Sequence, residues 1–469
     1  MNAKKKQGII VGGALALVMV LLLLLLPSKK TGNQPEATSP PATTVPVVDA
    51  RGVYTAAKQA VEQAEGWKVT YTTAQNRNIG ANVFSQSVTG TADYAIIDGE
   101  LSGCVTETRK NGMYSDTYQE IYCKGKAYAE MAELVFQAEM DSQTFLQRQV
   151  PAILLDSSLY GSISGYWDQE GIFLHFTDAV ALENWMAPEQ AELISASGTV
   201  RLDEEGNLLV SSYVAEFLVG NVTYTYSATA RFASQVPSQT HSHYESAQPI
   251  GDLDVLKVLM QVVGDLFVTS SIQCQAEEII DCPQIPLAYF QKSEYGLRQT
   301  VADFSAVVTH TTSITDYRGQ AAVQTQTDRF QNGSFTSVTT DGESVKNPEM
   351  TQQKMRQVIE DAVLAAIMAP NYLADATREN SEDSFTIHMT GNDAFCRDLM
   401  DEITEFLQVD LDALATSYET PTAGGYLTID KTTMLPVAMG ITFQRVHTVS
   451  DVGHTLTYSM EHTLQLFEE

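Results

Sequence analysis

The chain has 469 residues, enough for roughly two or three domains that each bury a core, so a single small domain is excluded. Lys and Arg number 28 against 58 Asp and Glu, a formal net charge of −30, with 44% apolar residues. So acidic a chain repels phosphate backbones, which argues against a nucleic-acid partner.

Residues 1–7 carry Lys4, Lys5 and Lys6 and precede Gly8–Leu26, a charge-free apolar run closed by Pro27 and followed by Lys29 and Lys30. At ~1.5 Å per helical residue, the run approaches the ~30 Å hydrocarbon core of a bilayer. It is longer than the ~7–15-residue apolar region of a cleaved signal and ends in Pro-Ser-Lys-Lys rather than in a small-x-small site. Residues 8–27 are therefore read as an uncleaved transmembrane anchor. Lysines before the span and the acidic bulk after it place 1–7 in the cytoplasm as a tail and everything beyond the span outside, in a single-pass cell-membrane topology. No cysteine precedes Cys104, so the helix rather than a lipid is what attaches the chain. Residues 28–48, rich in Pro, Thr and Ser, read as an extended tether.

Asp49 can cap a helix with Val53, Ala57, Ala60, Val61 and Ala64 on its apolar positions. Trp67, Val69 and Tyr71 then alternate with Lys68, Thr70 and Thr72. Val88, Ala92, Tyr94 and Ile96 continue the alternation up to Asp98-Gly99, a hairpin-turn dipeptide. Phe145–Leu155 and Leu182–Leu193 read as helices. A second leading helix, Asp252–Phe267, opens another such unit, with alternation at Phe304, Ala306 and Val308 and turns at Asn332-Gly333 and Asp341-Gly342. Asn347 and Pro348 then supply a cap and first-turn proline for a helix whose apolar positions are Met355, Val358, Ile359, Ala362, Ala366 and Ile367. From Asp393 a further helix carries Phe395, Leu399, Ile403, Phe406 and Leu407.

The two units share more than order. Gly198, Leu202 and Asp203 stand as Gly425, Ile429 and Asp430 do, Thr225-Tyr226-Ser227 matches Thr457-Tyr458-Ser459, and Leu174-His175-Phe176-Thr177 matches Ile387-His388-Met389-Thr390. The pattern is that of a tandem duplication, with domains at 49–235 and 250–469 and a linker at 236–249. Each unit reads as α+β, a curved antiparallel half-barrel covered on one face by helices.

The stretch Tyr426-Leu-Thr-Ile-Asp430-Lys-Thr-Thr-Met-Leu435-Pro436 resembles a hairpin of the extracytoplasmic lipoprotein-carrier superfamily, the fold of the bacterial lipoprotein localisation carrier and of mycobacterial glycolipid-binding lipoproteins. Asp at such a strand end can bond turn amides. The first half keeps Leu202-Asp203 but lacks the proline, and the chain departs from lipidated members in having an anchor. The resemblance implies a membrane-tethered, non-enzymatic protein that binds an apolar or acylated envelope molecule, or a lipoprotein, between sheet and helices. Trp167, Phe173, Phe176, Trp185, Phe385 and Met389 are the candidate cavity walls. The alternative is an envelope sensor or protein-interaction module with no small ligand.

Chemistry-bearing motifs are sparse. His241-Ser-His243 lacks further ligands at metal spacing, no H-E-x-x-H occurs, and no metal or cofactor is expected. Gly161-Ser-Ile-Ser-Gly165 places Ile163, not serine, where a nucleophile elbow needs its serine. Asp203-Glu-Glu-Gly-Asn207 lacks the alternating ligands of a calcium loop. On an oxidising side, Cys104 with Cys123 and Cys274 with Cys282 are candidate disulfides, while Cys396 shares the apolar face of Leu399 and Ile403.

Overall fold

In the computed structural model, residues 48–467 are described except 81, 113, 132–133, 150–154, 156, 180–190, 234–243, 245, 283–286, 301–302, 316–317, 408–412 and 414. The chain divides at Val45. The first unit, with the apolar run and most of the tether, lies outside the described residues, and Pro46–Glu469 form the second.

Helix α1 (Ala50–Gln63) begins where Asp49 accepts the Gly52 amide at 3.1 Å, and it buries Ala50, Tyr54 and Ala57. Tyr54 packs edge-on against Phe176 at 4.9 Å and donates its hydroxyl to the Leu155 carbonyl at 2.8 Å. Six strands follow as an antiparallel meander: Gly66–Ile79, Asn82–Ile97, Glu100–Asn111, Tyr114–Cys123, Lys126–Met131 and Leu134–Glu139. In the first of them Trp67, Val69 and Tyr71 are buried and Lys68, Thr70 and Thr72 exposed, as period-two alternation requires. Asp98 and Gly99 both take positive φ, as do Asn332 and Gly333, the conformation of a type I′ hairpin turn.

After α2 (Ser142–Gln149) comes a second meander of five strands: Tyr160–Asp168, Gly171–Ala179, Glu192–Leu202, Leu208–Val219 and Val222–Ala233. Its last strand lies beside Gly66–Ile79, with Thr72 opposite Thr229, which fuses both meanders into one sheet.

The second half repeats this connectivity. It opens with α3 (Asp254–Val268) and the strands Ser271–Cys282, Leu287–Gln299, Phe304–Thr315, Ala321–Gln331, Ser334–Thr339 and Ser344–Lys346. Then come α4 (Gln352–Leu364), strands Leu373–Asn380 and Ser384–Gly391, α5 (Asp393–Leu407), and strands Thr422–Asp430, Pro436–Val449 and Val452–Gln465. Again the last strand lies beside the first, with Ala276 opposite His462. With two short additions, Gln248–Pro249 and Ser417–Tyr418, each sheet has twelve strands. The three sequence matches between the halves fall on corresponding strands of the two sheets.

The α+β reading, helix-covered half-barrels behind an N-terminal transmembrane helix, is corrected: the described protein is mostly β, built on two large sheets. Its helices number five among the described residues and run from 8 to 15 residues, against twelve strands per sheet of up to 16. The physical reason is the Thr-, Val- and Tyr-rich alternation between the helices, which makes strands of up to 16 residues and outweighs the five helices. Of the two later helices expected in the first half, α2 forms around Phe145, while the stretch expected at Leu182–Leu193 lies outside the described residues as far as 190 and ends in the strand Glu192–Leu202. No helix among the described residues is long and apolar enough to cross a membrane.

Helix α3 is apolar nearly all round and buries Val255, Leu256, Leu259, Met260, Val262, Gly264, Asp265 and Leu266. It packs against Glu100–Asn111 and Tyr114–Cys123 of the first sheet as well as against Leu373–Asn380 and α4 of its own half. One core therefore runs through both halves, from Val105 and Tyr118 to Leu259, Ile359 and Phe385. A smaller core lies under α1 around Phe176, Leu174 and Leu202.

Candidate functional site

Helix α3 carries Asp254, Lys257 and Asp265 within a mostly apolar sequence, and each meets charge from the first half. Arg77 places Nη2 2.6 Å from both Asp265 carboxylate oxygens, at 2% and 1% side-chain exposure. Asn111 Nδ2 donates to the same carboxylate at 3.1 Å. Arg77 Nη1 donates to the carbonyls of Thr433 and Met434 at 2.9 and 3.0 Å, and the Tyr224 hydroxyl donates to that of Thr432 at 2.6 Å. These carbonyls belong to the turn after Asp430, whose Oδ1 accepts from the Thr433 amide at 2.7 Å and its hydroxyl at 2.8 Å. The strand-end aspartate thus shapes a turn that the first half grips. Its counterpart Asp203 likewise holds Asn207, at 2.7 Å through the amide.

Further along the seam, Glu120 is fully buried and accepts from Arg148 at 2.6 Å and Tyr118 at 2.8 Å, with the Lys257 ammonium 3.7 Å away. Arg148 also pairs with Asp254. Glu107 accepts from the Tyr71 hydroxyl at 2.7 Å and from Arg109 at 2.6 Å. Burial pushes the Glu107 carboxyl up, but the charges of Arg109 and Lys257 and the donors on Tyr71 and Arg109 outweigh it and hold it at about 2. These carboxylates are all paired with cations, and the Arg77–Asp265, Arg148–Asp254 and Lys257–Glu120 pairs join the halves.

A second polar row crosses the inner face of the second sheet. Tyr458 donates to Glu278 at 3.1 Å, Tyr289 to Gln291 at 2.8 Å, and Gln291 to Ser293 at 3.1 Å. Ser293 Oγ lies 2.8 Å from His310 Nδ1, and burial lowers the His310 pKa, so the imidazole is neutral near pH 7. Ser293 is only 2% exposed, so this serine–histidine contact does not present a nucleophile to solvent. Open grooves of about 470 and 480 Å³ lie on the sheets: one beside Gly296 with Gln275, Glu294 and Thr309, the other lined by the threonine pairs 70/72, 89/91 and 106/108.

The residues expected to wall a cavity are scattered. Phe176, Phe385 and Met389 are packed at 0%, 1% and 4% exposure, the first in the small core and the others in the large one. Trp167 is 43% exposed and Phe173 stacks obliquely on Tyr166 at 5.3 Å. Trp185 lies outside the described residues, as do His241 and His243. None of the five cysteines is joined in a disulfide. Cys274 and Cys282 stand eight residues apart on one continuous strand, about 27 Å at ~3.4 Å per residue, far beyond the span of a disulfide. Cys104 lies opposite Ile121 and Cys123 opposite Ser102, so this pair is diagonal rather than facing. Among the described residues no three His, Cys, Asp or Glu side chains gather as metal ligands.

Sequence reasoning missed the seam, although it left a signal: Arg77, Glu107 and Glu120 sit at the buried phase of their strands, in step with Ile79, Val105 and Tyr118. A charge in the core phase needs a partner from elsewhere in the fold.

No family model matches the chain, and no curated protein does. Among solved structures it is similar to a DUF1329 family protein from Desulfovibrio piger, at 10% identity over 42% of this chain and 96% of that one, TM-score 0.15. It is also similar to kievitone hydratase from Nectria haematococca, at 9% identity over 90% and 94%, TM-score 0.13. A BenF-like porin from Pseudomonas fluorescens gives 8% identity over 87% and 100%, TM-score 0.11. The likeness is a weak one to β-rich proteins, and it does not assign the chain to the lipoprotein-carrier superfamily.

Proposed function

We propose that this protein is a non-enzymatic, extracytoplasmic interaction module that presents its sheets to a protein partner. The observation that carries this reading is the packing of Phe176, Phe385 and Met389. An acyl chain between sheet and helices would have to displace these side chains from continuous cores, whereas a partner engages surfaces that are already free. The lysine-flanked apolar run Gly8–Leu26 supports attachment to a membrane with residues 1–7 in the cytoplasm and the acidic folded part outside. Matching strand order in the two sheets supports an origin by tandem duplication.

The test is native mass spectrometry with lipid extraction on the full chain, purified in detergent and paired with crosslinking in the membranes it came from. The reading predicts a lipid-free mass for the folded part and discrete protein crosslinks. One lipid per chain, retained after exchange into a second detergent, would return the apolar-ligand alternative to first place.

A further inference from the structure

Among the described residues the strand order of each sheet has two ends, and three of these four edges are blunted. The first sheet ends on one side at Gln248–Pro249, two residues paired in parallel with Leu134–Glu139 and ending in a proline. The second ends at Ser344–Lys346, three residues long, and at Leu373–Asn380, which carries Asp375, Arg378 and Glu379 and whose first carbonyl is taken by the Gln248 side chain. Short length, proline, charge and covering contacts are the usual protections of a sheet edge.

The fourth edge, Tyr160–Asp168, is covered among the described residues only at its start, where Arg51 of α1 donates to the Tyr160 carbonyl at 2.7 Å. It runs nine residues, it is uncharged and proline-free from Tyr160 to Trp167, and among the described residues no strand pairs with its outer side. Its only charge, Asp168, is taken by Arg201 at 2.6 Å. At the same end Tyr166 and Trp167 are 48% and 43% exposed, and as neighbours in a strand they point to opposite faces. A row of free backbone donors and acceptors flanked by one aromatic on each face is the geometry for strand addition, in which main-chain bonds give affinity and flanking side chains give selectivity.

We propose that Tyr160–Asp168 is the docking site of an extended peptide segment from a protein partner, added as a thirteenth strand to the first sheet. The inference rests on the interaction-module reading and names its surface. The occupant is free of acidic residues, with an apolar side chain against Trp167 or Tyr166. The chain's own charge of −30 disfavours both an acidic segment and a second copy, and at the strand end Asp168 and Glu170 share the one cation Arg201, at 2.6 and 3.0 Å, which leaves a net negative charge that favours a basic residue there.

The experiment is hydrogen exchange on the full chain in detergent with ten-residue synthetic peptides of alternating Val and Thr, carrying Lys, no charge or Glu at two spacer positions. Slowed exchange confined to 160–168, in the order Lys-bearing, neutral, Glu-bearing, with about tenfold between the first and last, is the expected result. Trp167→Ala and Ser164→Lys, both at exposed positions, should each weaken protection by the neutral peptide about tenfold, while Val323→Ala on the second sheet leaves it unchanged. No protection at any peptide concentration up to millimolar overturns the proposal. Concentration-dependent protection of 160–168 without peptide, together with a dimer by light scattering, overturns the occupant in favour of a second copy. Protection elsewhere on the sheets sinks this edge but leaves the interaction module standing, whereas a bound lipid in the mass spectrum removes both.

Discussion

Replacing Arg77 by methionine probes the seam at its most buried point. The guanidinium is 2% exposed, neutralises Asp265 through two 2.6 Å contacts and satisfies two turn carbonyls of the other half. Methionine fills much of the volume but leaves Asp265 in the core with only Asn111 and other neutral donors. Removing one partner of a buried pair costs ~3–5 kcal/mol, because the remaining charge is uncompensated. Loss of the turn contacts adds up to ~1 kcal/mol, so we expect about 4–5 kcal/mol. With an m-value of ~3 kcal/mol per M urea, the unfolding midpoint should fall by ~1.5 M. Trp67 reports this well: it is 9% exposed and shares the strand Gly66–Ile79 with Arg77. Adding Asp265→Leu should recover ~2–3 kcal/mol, since two apolar residues replace the ions without an orphaned charge. If the single variant loses under ~1 kcal/mol, or the double variant is no better than the single, the pair is not what couples the halves.

Glu107 gives a pH signature: its carboxyl titrates at about 2 folded against 4.5 unfolded, so its contribution of ~3 kcal/mol is complete above pH 4.5 and is lost as pH falls toward 2. Glu107→Gln should flatten that part of the acid-denaturation curve, and an unchanged slope would refute the assignment. Gly90 lies under the Tyr71 ring, where a Cβ would sit 2.4 Å from Cζ, so Gly90→Ala should displace the ring from Glu107 and cost ~1–3 kcal/mol by urea titration. Thiol titration on the reduced, purified protein should find Cys104 reacting first in the native state, since the other four cysteines are buried and burial pushes the Cys274 thiol up to about 12. Five thiols should react after unfolding, and a Cys274–Cys282 disulfide formed under oxidant in the folded protein would contradict the strand assignment.

Local signals were readable wherever one residue decides the geometry. Asp49 caps α1, Asp98-Gly99 and Asn332-Gly333 turn hairpins, and Phe395, Leu399 and Ile403 form the buried face of α5. At α4 the expected cap shifts from Asn347 to Thr351, whose hydroxyl takes the Lys354 amide, and Val358 is 45% exposed although it shares the apolar spacing. The balance of sheet over helix was harder to read, because it is set by how far each strand extends and pairs, as with the 16 residues of Asn82–Ile97, and pairing partners far along the chain decide that. Cavity walls were unreadable for a related reason. An inward aromatic has the same strand phase whether it faces a void or a neighbour, and only the packing around Phe385 distinguishes the two.

Closing each sheet with its first strand beside its last has a consequence for how the chain is made. Gly66–Ile79 waits for Val222–Ala233, and Ser271–Cys282 for Val452–Gln465, so the middle of each sheet is its latest-completed seam. Pairing over such separations pays loop-closure entropy before any contact returns it, which makes assembly slow. During synthesis a long, bare strand edge is therefore on offer in each half, and a chain stopped before Val452 would carry two such edges permanently in the centre of the second sheet, where nothing blunts them.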